Sequence, residues 1–346
     1  MADISKTVQT MSIPLFVGNG KIEYGEEEIP VPGAGQLLLQ VKANALCGSD
    51  RGQFNGGTST TPGHEASGIV AVAGPDTNTA VGTPGVVFLM GYCGKCPNCE
   101  QGYTNQCLDK RADYGFSHDG GYGPFMLIDE NVFFAIDKSI PMTEATMLLD
   151  IMGTGGHAIK RASLVRPDIR SVAVTGAGPI GLGVLAMAKL LLGHETPVFI
   201  TDFVPYRLAL AERMGAVPVN LNAGSLADAV AEAGLSGTDI AIDTSGQSEA
   251  RRSALEVLNK RGVLVCVGHG QDLQVTNVSH DLIATERSVL GSEYFRYDEF
   301  EPNHKLMLDH LPYLSQIITH RFKANEIQEA YELFFNGETG KVVVEQ

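Results

Sequence analysis

The 346-residue chain lacks any apolar run long enough to cross a bilayer as a helix, so no membrane span is predicted. Its first ten residues are polar and of mixed charge, without the basic-then-apolar order of a secretory leader, which predicts a cytoplasmic protein. Basic residues are in deficit: 25 Lys and Arg stand against 40 Asp and Glu, a formal net charge of −15. A nucleic-acid-binding surface needs clustered cations to displace counterions, so this balance counts against DNA or RNA as a partner and favours a small-molecule ligand. Internal repeats and low-complexity tracts are also missing.

What is present is a globular composition, 44% hydrophobic and 19% charged, in a chain long enough for two domains. The 40 glycines fit many tight turns, short strands and close backbone approach to a ligand. Six cysteines occur, and four fall within fifteen residues. Without a secretion signal, such clustering suggests metal thiolates more than disulfides.

Short apolar runs bounded by Gly and Pro fill the first third: 37–45, 69–73, 85–90, 125–128 and 132–136. They predict a β-rich domain of small strands. Cys47-Gly48-Ser49-Asp50 follows the first of these and would sit at a strand end. Taken alone, Cys47 reads more readily as a buried free thiol, and His64 in Gly63-His64-Glu65 as a structural histidine. The run Cys93-Gly94-Lys95-Cys96-Pro97-Asn98-Cys99, with Cys107 eight residues on, is more specific. Its thiols can converge on one tetrahedral zinc, and a shell closed by four cysteines leaves no place for water, so the expected role is structural. Two disulfides or four free thiols are the competing accounts.

Further on, the strand-like RSVAVT (170–175) runs into Gly176-Ala177-Gly178-Pro179-Ile180-Gly181, and a helix-like segment rich in Ala and Leu follows. In that context G-x-G-x-x-G is a dinucleotide-binding turn. Gly176 permits the turn, Gly178 the approach of the diphosphate and Gly181 close helix packing, with the helix N-terminus that opens at Pro179 offering its dipole and, from Ile180 on, its amides to phosphate. Asp202 ends the next strand, 21 residues beyond Gly181. A carboxylate there can bind both ribose hydroxyls of NAD and repel the 2′-phosphate of NADP; Arg207 keeps NADP as the alternative, and a turn or cap role is the bland account of Asp202. Strands and helices then alternate to about residue 285, which predicts a parallel sheet with helices on both faces. Cys266 lies in an apolar strand and reads as core. His269 lies at that strand's carboxyl end, where ligands bind in open sheets.

Together the thiol run, Cys47-Gly48-Ser49-Asp50, Gly63-His64-Glu65 and the dinucleotide turn resemble the zinc-dependent medium-chain alcohol dehydrogenases over nearly the whole chain. The resemblance implies an α/β protein, with a Rossmann-type doubly wound parallel sheet domain (151–285) inserted into a β-rich GroES-like catalytic domain (1–150 and 286–346). The stretch 320–335 resembles that family's C-terminal helix and 340–344 its closing strand. Two zinc ions per subunit are implied, one structural (Cys93, Cys96, Cys99, Cys107) and one catalytic. For the catalytic ion, Cys47, His64 and Asp150 match the ligand positions, and Glu65 is a transient ligand. Ser49 would take the substrate proton and Asp50 would hydrogen-bond the His64 imidazole. Thr154 matches a position at the nicotinamide end of the cofactor; His269 would line it and Lys341 would reach the diphosphate. The expected reaction is reversible hydride transfer from an alcohol or polyol to NAD, giving an aldehyde or ketone, in a homodimer or homotetramer. An NADP-linked member, a quinone or enone reductase on the same fold, and a zinc-ribbon binding protein are the alternatives. Two features depart from the family: Gly52 stands where many relatives carry a proton-relaying His, leaving water, His118 or His157 as routes, and the gap from Cys47 to His64 is short.

Overall fold

A computed structural model describes residues 9–346, which divide into two compact units. The first gathers the chain up to Leu149 with residues 321–335 and 342–346, and the second holds residues 150–320 and 336–341.

In the first unit, β1 (Thr10–Gly18) and β2 (Lys21–Glu28) form an antiparallel hairpin. The strands β3 (Gln36–Ala45), β4 (Ala66–Ala73), β5 (Pro84–Val87), β6 (Met90–Gly91), β7 (Ala112–Asp113), β8 (Phe125–Asp129) and β9 (Phe133–Ala135) follow. β3 pairs antiparallel with β4 and with β8. Its sequence, QLLLQVKANA, is buried at seven of ten positions, which suits a strand covered on both faces. That rigid strand ends at Ala45 and delivers Cys47 two residues later.

The second unit contains β10 (Val172–Thr175), β11 (Val198–Asp202), β12 (Val217–Asn220), β13 (Thr238–Asp243), β14 (Leu258–Cys266) and β15 (Ser288–Gly291), all paired in parallel. Their order is β12-β11-β10-β13-β14-β15, so the chain winds outward from β10 in one direction and from β13 in the other. The reversal between β10 and β13 is the topological switch point, beyond whose carboxyl ends such sheets bind ligands. Phe199, Ala241, Leu255 and Leu264 belong to one fully buried core cluster here, and each large apolar side chain so buried contributes about 1.5–3 kcal/mol. The architecture is the doubly wound α/β sheet with a β-rich unit that the sequence indicates.

The chain returns with β16 (Ile318–Lys323), a helix at Ile327–Asn336 and β17 (Lys341–Glu345). β17 pairs antiparallel with β3, placing Val343 opposite Ala45, and completes a seven-stranded sheet.

Three expectations differ from the structure. The second unit runs to His320 and takes back residues 336–341, and beyond the expected end at 285 β15 adds to the parallel sheet beside β14. The stretch 320–335 is not one helix: residues to Lys323 are strand, and Glu326 accepts the Lys323 amide at 2.8 Å to start the helix behind it. Cys266 is only half-buried, packed at the margin of the core cluster.

Candidate active site

Cys47 opens a 3-10 turn over Gly48–Asp50, in which its amide donates to Asp50 Oδ2 at 3.0 Å. Ser49 is exposed on this turn, while Asp50 is fully buried. Gly63 turns the chain into β4 with φ of +104°, and a Cβ there would lie 2.8 Å from the Tyr122 ring and 2.9 Å from the Asn44 amide, so only glycine fits. The turn sets His64 and Glu65 into the interior, 3% and 0% exposed. His64 stacks on Phe116 with ring centroids 4.9 Å apart. Its Nδ1 lies 3.2 Å from Asp50 Oδ1. A carboxylate only accepts, so a proton on Nδ1 would face Asp50 and leave Nε2 as a metal-binding lone pair.

Asp150 follows Leu149 directly and begins a π-helical turn, Asp150–Thr154, ahead of the helix Gly155–Ser163. Such turns recur at functional sites because they re-aim side chains within a helix. The turn is braced from behind: Asn303 Nδ2 donates to the Met152 carbonyl at 3.3 Å, and Phe295 occupies the space a Cβ on Gly153 would need. Asp150 and Thr154 are both buried.

Ligand atoms of Cys47, His64, Glu65 and Asp150 all lie within 4.8 Å of one another. Four donors around a tetrahedral zinc, with bonds of about 2.0–2.3 Å, are roughly 3.5 Å apart, so this set fits the ion. It offers one sulfur, one nitrogen and two carboxylates, a mixture suited to Zn²⁺.

The second thiol group is equally compact: one ligand atom from each of Cys93, Cys96, Cys99 and Cys107 lies within 4.8 Å of the others. Cys96 and Cys107 Sγ are 3.9 Å apart, far beyond a disulfide bond. The Leu108 amide donates to Cys96 Sγ at 3.4 Å, and the Cys93 and Asp109 amides donate to Cys107 Sγ at 3.3 and 3.4 Å. Amides of Cys99 and Leu108 hold the Cys96 thiol down to about 6, whereas burial and the neighbouring thiols push Cys99 up to about 12. Adjacent thiols oppose one another's ionisation, which a divalent cation at their centre would relieve.

In the second unit, Gly176 follows β10 with φ of +93°, and Gly178 caps the helix Pro179–Leu192, with Pro179 and Ile180 in its first turn. A Cβ on Gly181 would lie 1.9 Å from the Gly176 carbonyl, which explains the third glycine. Asp202, half-buried, is the hub of the neighbouring loop. Its Oδ2 accepts from the Ala177 amide at 2.8 Å, and its Oδ1 from the Phe203 and Val204 amides at 2.8 and 2.9 Å. A groove of about 1130 Å³ runs past Gly176, Asp202, Phe203 and Ser245. Asp243 lies behind two lining residues, Thr175 and Ser245: its buried carboxylate accepts from Thr175 Oγ1, Ser245 Oγ and Arg251 Nε at 2.8, 2.7 and 2.9 Å. The glycine turn, helix terminus and groove fit a dinucleotide.

Other expected residues are placed as follows. Arg207 Nε donates to the Thr339 carbonyl at 3.2 Å, and its Nη1 is 3.9 Å from where a Gly178 Cβ would stand. The guanidinium is therefore beside the glycine turn. His269 is exposed and its carbonyl packs on Gly246. Lys341 is fully buried, not a surface lysine. His157 is engaged by Glu299 (Nδ1 to Oε2, 2.9 Å) and His118 is an exposed residue 3.0 Å from Ser117 Oγ. Sequence reasoning missed Asp243, Asn303 and Tyr331; the last donates to Asp50 Oδ2 at 2.8 Å but reads in sequence as one more core aromatic of an amphipathic helix.

Comparison with known proteins identifies the family. Residues 33–138 match the alcohol dehydrogenase GroES-like domain and residues 179–309 the zinc-binding dehydrogenase domain. The chain is 31% identical to L-threonine 3-dehydrogenase of Saccharopolyspora erythraea over 342 residues, covering 94% of this chain and 95% of that one. It is 29% identical to YphC, an uncharacterized zinc-type alcohol dehydrogenase-like protein of Escherichia coli K12, over 97% of this chain and 99% of the other. A cobalt- and zinc-bound thermostable alcohol dehydrogenase of Pyrobaculum aerophilum superposes with a TM-score of 0.82 at 25% identity, over 98% and 100% of the two chains. The chain belongs to the zinc-dependent medium-chain alcohol dehydrogenase family. It is an oxidoreductase. Among the described residues no helix is long and apolar enough to cross a membrane.

Proposed function

We propose that the chain is an NAD-dependent dehydrogenase that carries two zinc ions and reversibly oxidises a secondary alcohol, polyol or amino alcohol. The observation that carries this reading is the convergence of Cys47, His64, Glu65 and Asp150. Cys47 Sγ, His64 Nε2 and an Asp150 oxygen would hold the ion, and Glu65 would replace a ligand during exchange. Zinc supplies Lewis acidity that lets a bound hydroxyl ionise near neutral pH, and the nicotinamide supplies the hydride acceptor. The thiolate and one carboxylate balance the ion's two charges, while Asp50 keeps the imidazole in its Nε2-binding tautomer. Ser49, on the exposed face of the Cys47 turn, would receive the substrate proton. Thr154, four residues after Asp150, would meet the nicotinamide end.

Preference for NAD over NADP rests on the charges along the groove. Asp202 presents a carboxylate where the adenosine ribose would lie. Arg252, which lines the same groove, is committed to Asp281 at 2.6 Å and to Glu256 at 2.7 Å. A 2′-phosphate would meet a carboxylate and a cation already neutralised. The likeness to L-threonine 3-dehydrogenase supports a secondary hydroxyl as the reacting group.

The test is a panel of L-threonine, polyols and simple secondary alcohols with NAD and with NADP, read at the absorbance of reduced nicotinamide. Turnover with NAD and a secondary alcohol is the expected result. Failure of every alcohol to reduce either cofactor, and of every ketone to oxidise the reduced forms, would contradict the reading.

A further inference from the structure

The carboxylate of Asp50 is wholly buried and is met by its own turn and by two other parts of the first unit. Oδ2 accepts from the Cys47 amide at 3.0 Å and from the Tyr331 hydroxyl at 2.8 Å, and Oδ1 lies 3.2 Å from His64 Nδ1. One carboxylate therefore touches both the Cys47 turn and the His64 ring, and a phenol from the C-terminal helix fixes it. We infer that Tyr331 is a positioning residue for the metal centre: its hydroxyl locks Asp50 so that Cys47 and His64 are held together in ligand geometry. This rests on the reading of Cys47 and His64 as metal ligands.

The chemistry of the contact has one direction. A carboxylate only accepts, so the single proton of Tyr331 goes to Asp50. Tyr122 Oη stands 3.0 Å from the same hydroxyl and is the neutral competitor for that proton, against which the charged carboxylate is the stronger acceptor. Burial, and then the Asp50 charge, hold both phenols well above their ordinary value, so both remain donors at any working pH. The ring itself is fully buried and packed. Phe54 stacks on it with centroids 5.2 Å apart, and Phe16 meets it edge-on at 5.3 Å. Its hydroxyl is thus aimed by packing, as a positioning group must be.

Loss of the hydroxyl leaves a buried carboxylate oxygen with one donor fewer and free to turn about its Cβ–Cγ bond. The His64 ring then loses the fixed carboxylate 3.2 Å from its Nδ1, and the Nε2 direction drifts. Groups that orient metal ligands in this way change affinity by about 10- to 100-fold when removed.

The test uses the full-length protein with cobalt(II) at both thiolate-containing sites. Metal affinity at the Cys47 site is measured by competition with a chelator, and the d–d bands report ligand geometry. Tyr331→Phe is expected to weaken that site by about 10- to 100-fold and shift its d–d bands, with the charge-transfer band of the four-cysteine site unchanged. Tyr122→Phe, which removes the hydroxyl 3.0 Å from Tyr331 Oη, is expected to shift both in the same direction by less. Asp50→Asn serves as the reference and is expected to have the largest effect. Wild-type affinity and bands in Y331F, with D50N altered, would overturn the role of Tyr331 alone. Wild-type behaviour in D50N as well would overturn the ligand reading beneath it. Should Y331F lose its near-UV circular dichroism, Y122F decides: an unchanged cobalt site there overturns the inference.

Discussion

Gly181 and Gly176 approach so closely that a Cβ on the first would lie 1.9 Å from the carbonyl oxygen of the second. The contact clamps the first turn of the helix Pro179–Leu192 against the end of β10. Gly181→Ala must push that helix away from the turn that would hold the diphosphate. We expect NAD affinity to fall by at least about ten-fold, with zinc content unchanged, by fluorescence titration and metal analysis. Unaltered affinity would show that the turn does not hold the cofactor.

Asp202 carries the cofactor choice in this account. Asp202→Ala removes the carboxylate and also three backbone contacts at 2.8–2.9 Å. Catalytic efficiency with NAD is expected to fall by about 10- to 100-fold, equivalent to roughly 1.4–2.8 kcal/mol, while that with NADP falls less or rises. Steady-state kinetics with both cofactors checks the ratio.

Thiol reactivity tests the four-cysteine lobe. In chelator-treated protein, Cys96, held down to about 6, is expected to alkylate first at neutral pH, and Cys99, pushed up to about 12, last. Peptide mass spectrometry after timed iodoacetamide treatment gives the order. With zinc restored, all four are expected to be protected together.

Glu299 gives the pH dependence a sign. Burial pushes its carboxyl up, but the His157 hydrogen bond and the charges of His157 and Lys160 prevail and hold it below the usual value. A carboxyl lowered in the folded state stabilises above its unfolded value of about 4.3, and the contribution is lost as pH falls through the folded value. The urea midpoint of the wild type is therefore expected to fall more steeply than that of Glu299→Gln between about pH 5 and pH 3.5. Parallel curves would contradict the assignment.

What could be read from the sequence was what is local. The strand before Gly176 and the helix after it, and the spacing of Cys93, Cys96, Cys99 and Cys107, are contiguous patterns, and the chain folds them where they stand. The convergence of Cys47, His64 and Asp150 came from the family resemblance and not from spacing, since the three lie on separate segments. Tyr331 was not legible because its partner Asp50 is 281 residues away and the hydroxyl is hidden within an apolar helix face. The π turn at Asp150 was hidden for a related reason: Phe295 and Asn303, far along the chain, hold it. β15 was missed because SVLG is a short strand with alternating exposure at the edge of the sheet, with little apolar signal of its own.

Metal content of the purified wild type and of His64→Ala, measured together with turnover, tests the central claim most directly. The account expects two zinc ions per chain in the wild type, one in the variant, and no measurable alcohol oxidation once the second is gone. Two zinc ions retained by the variant, or full activity in a protein holding one, would contradict it.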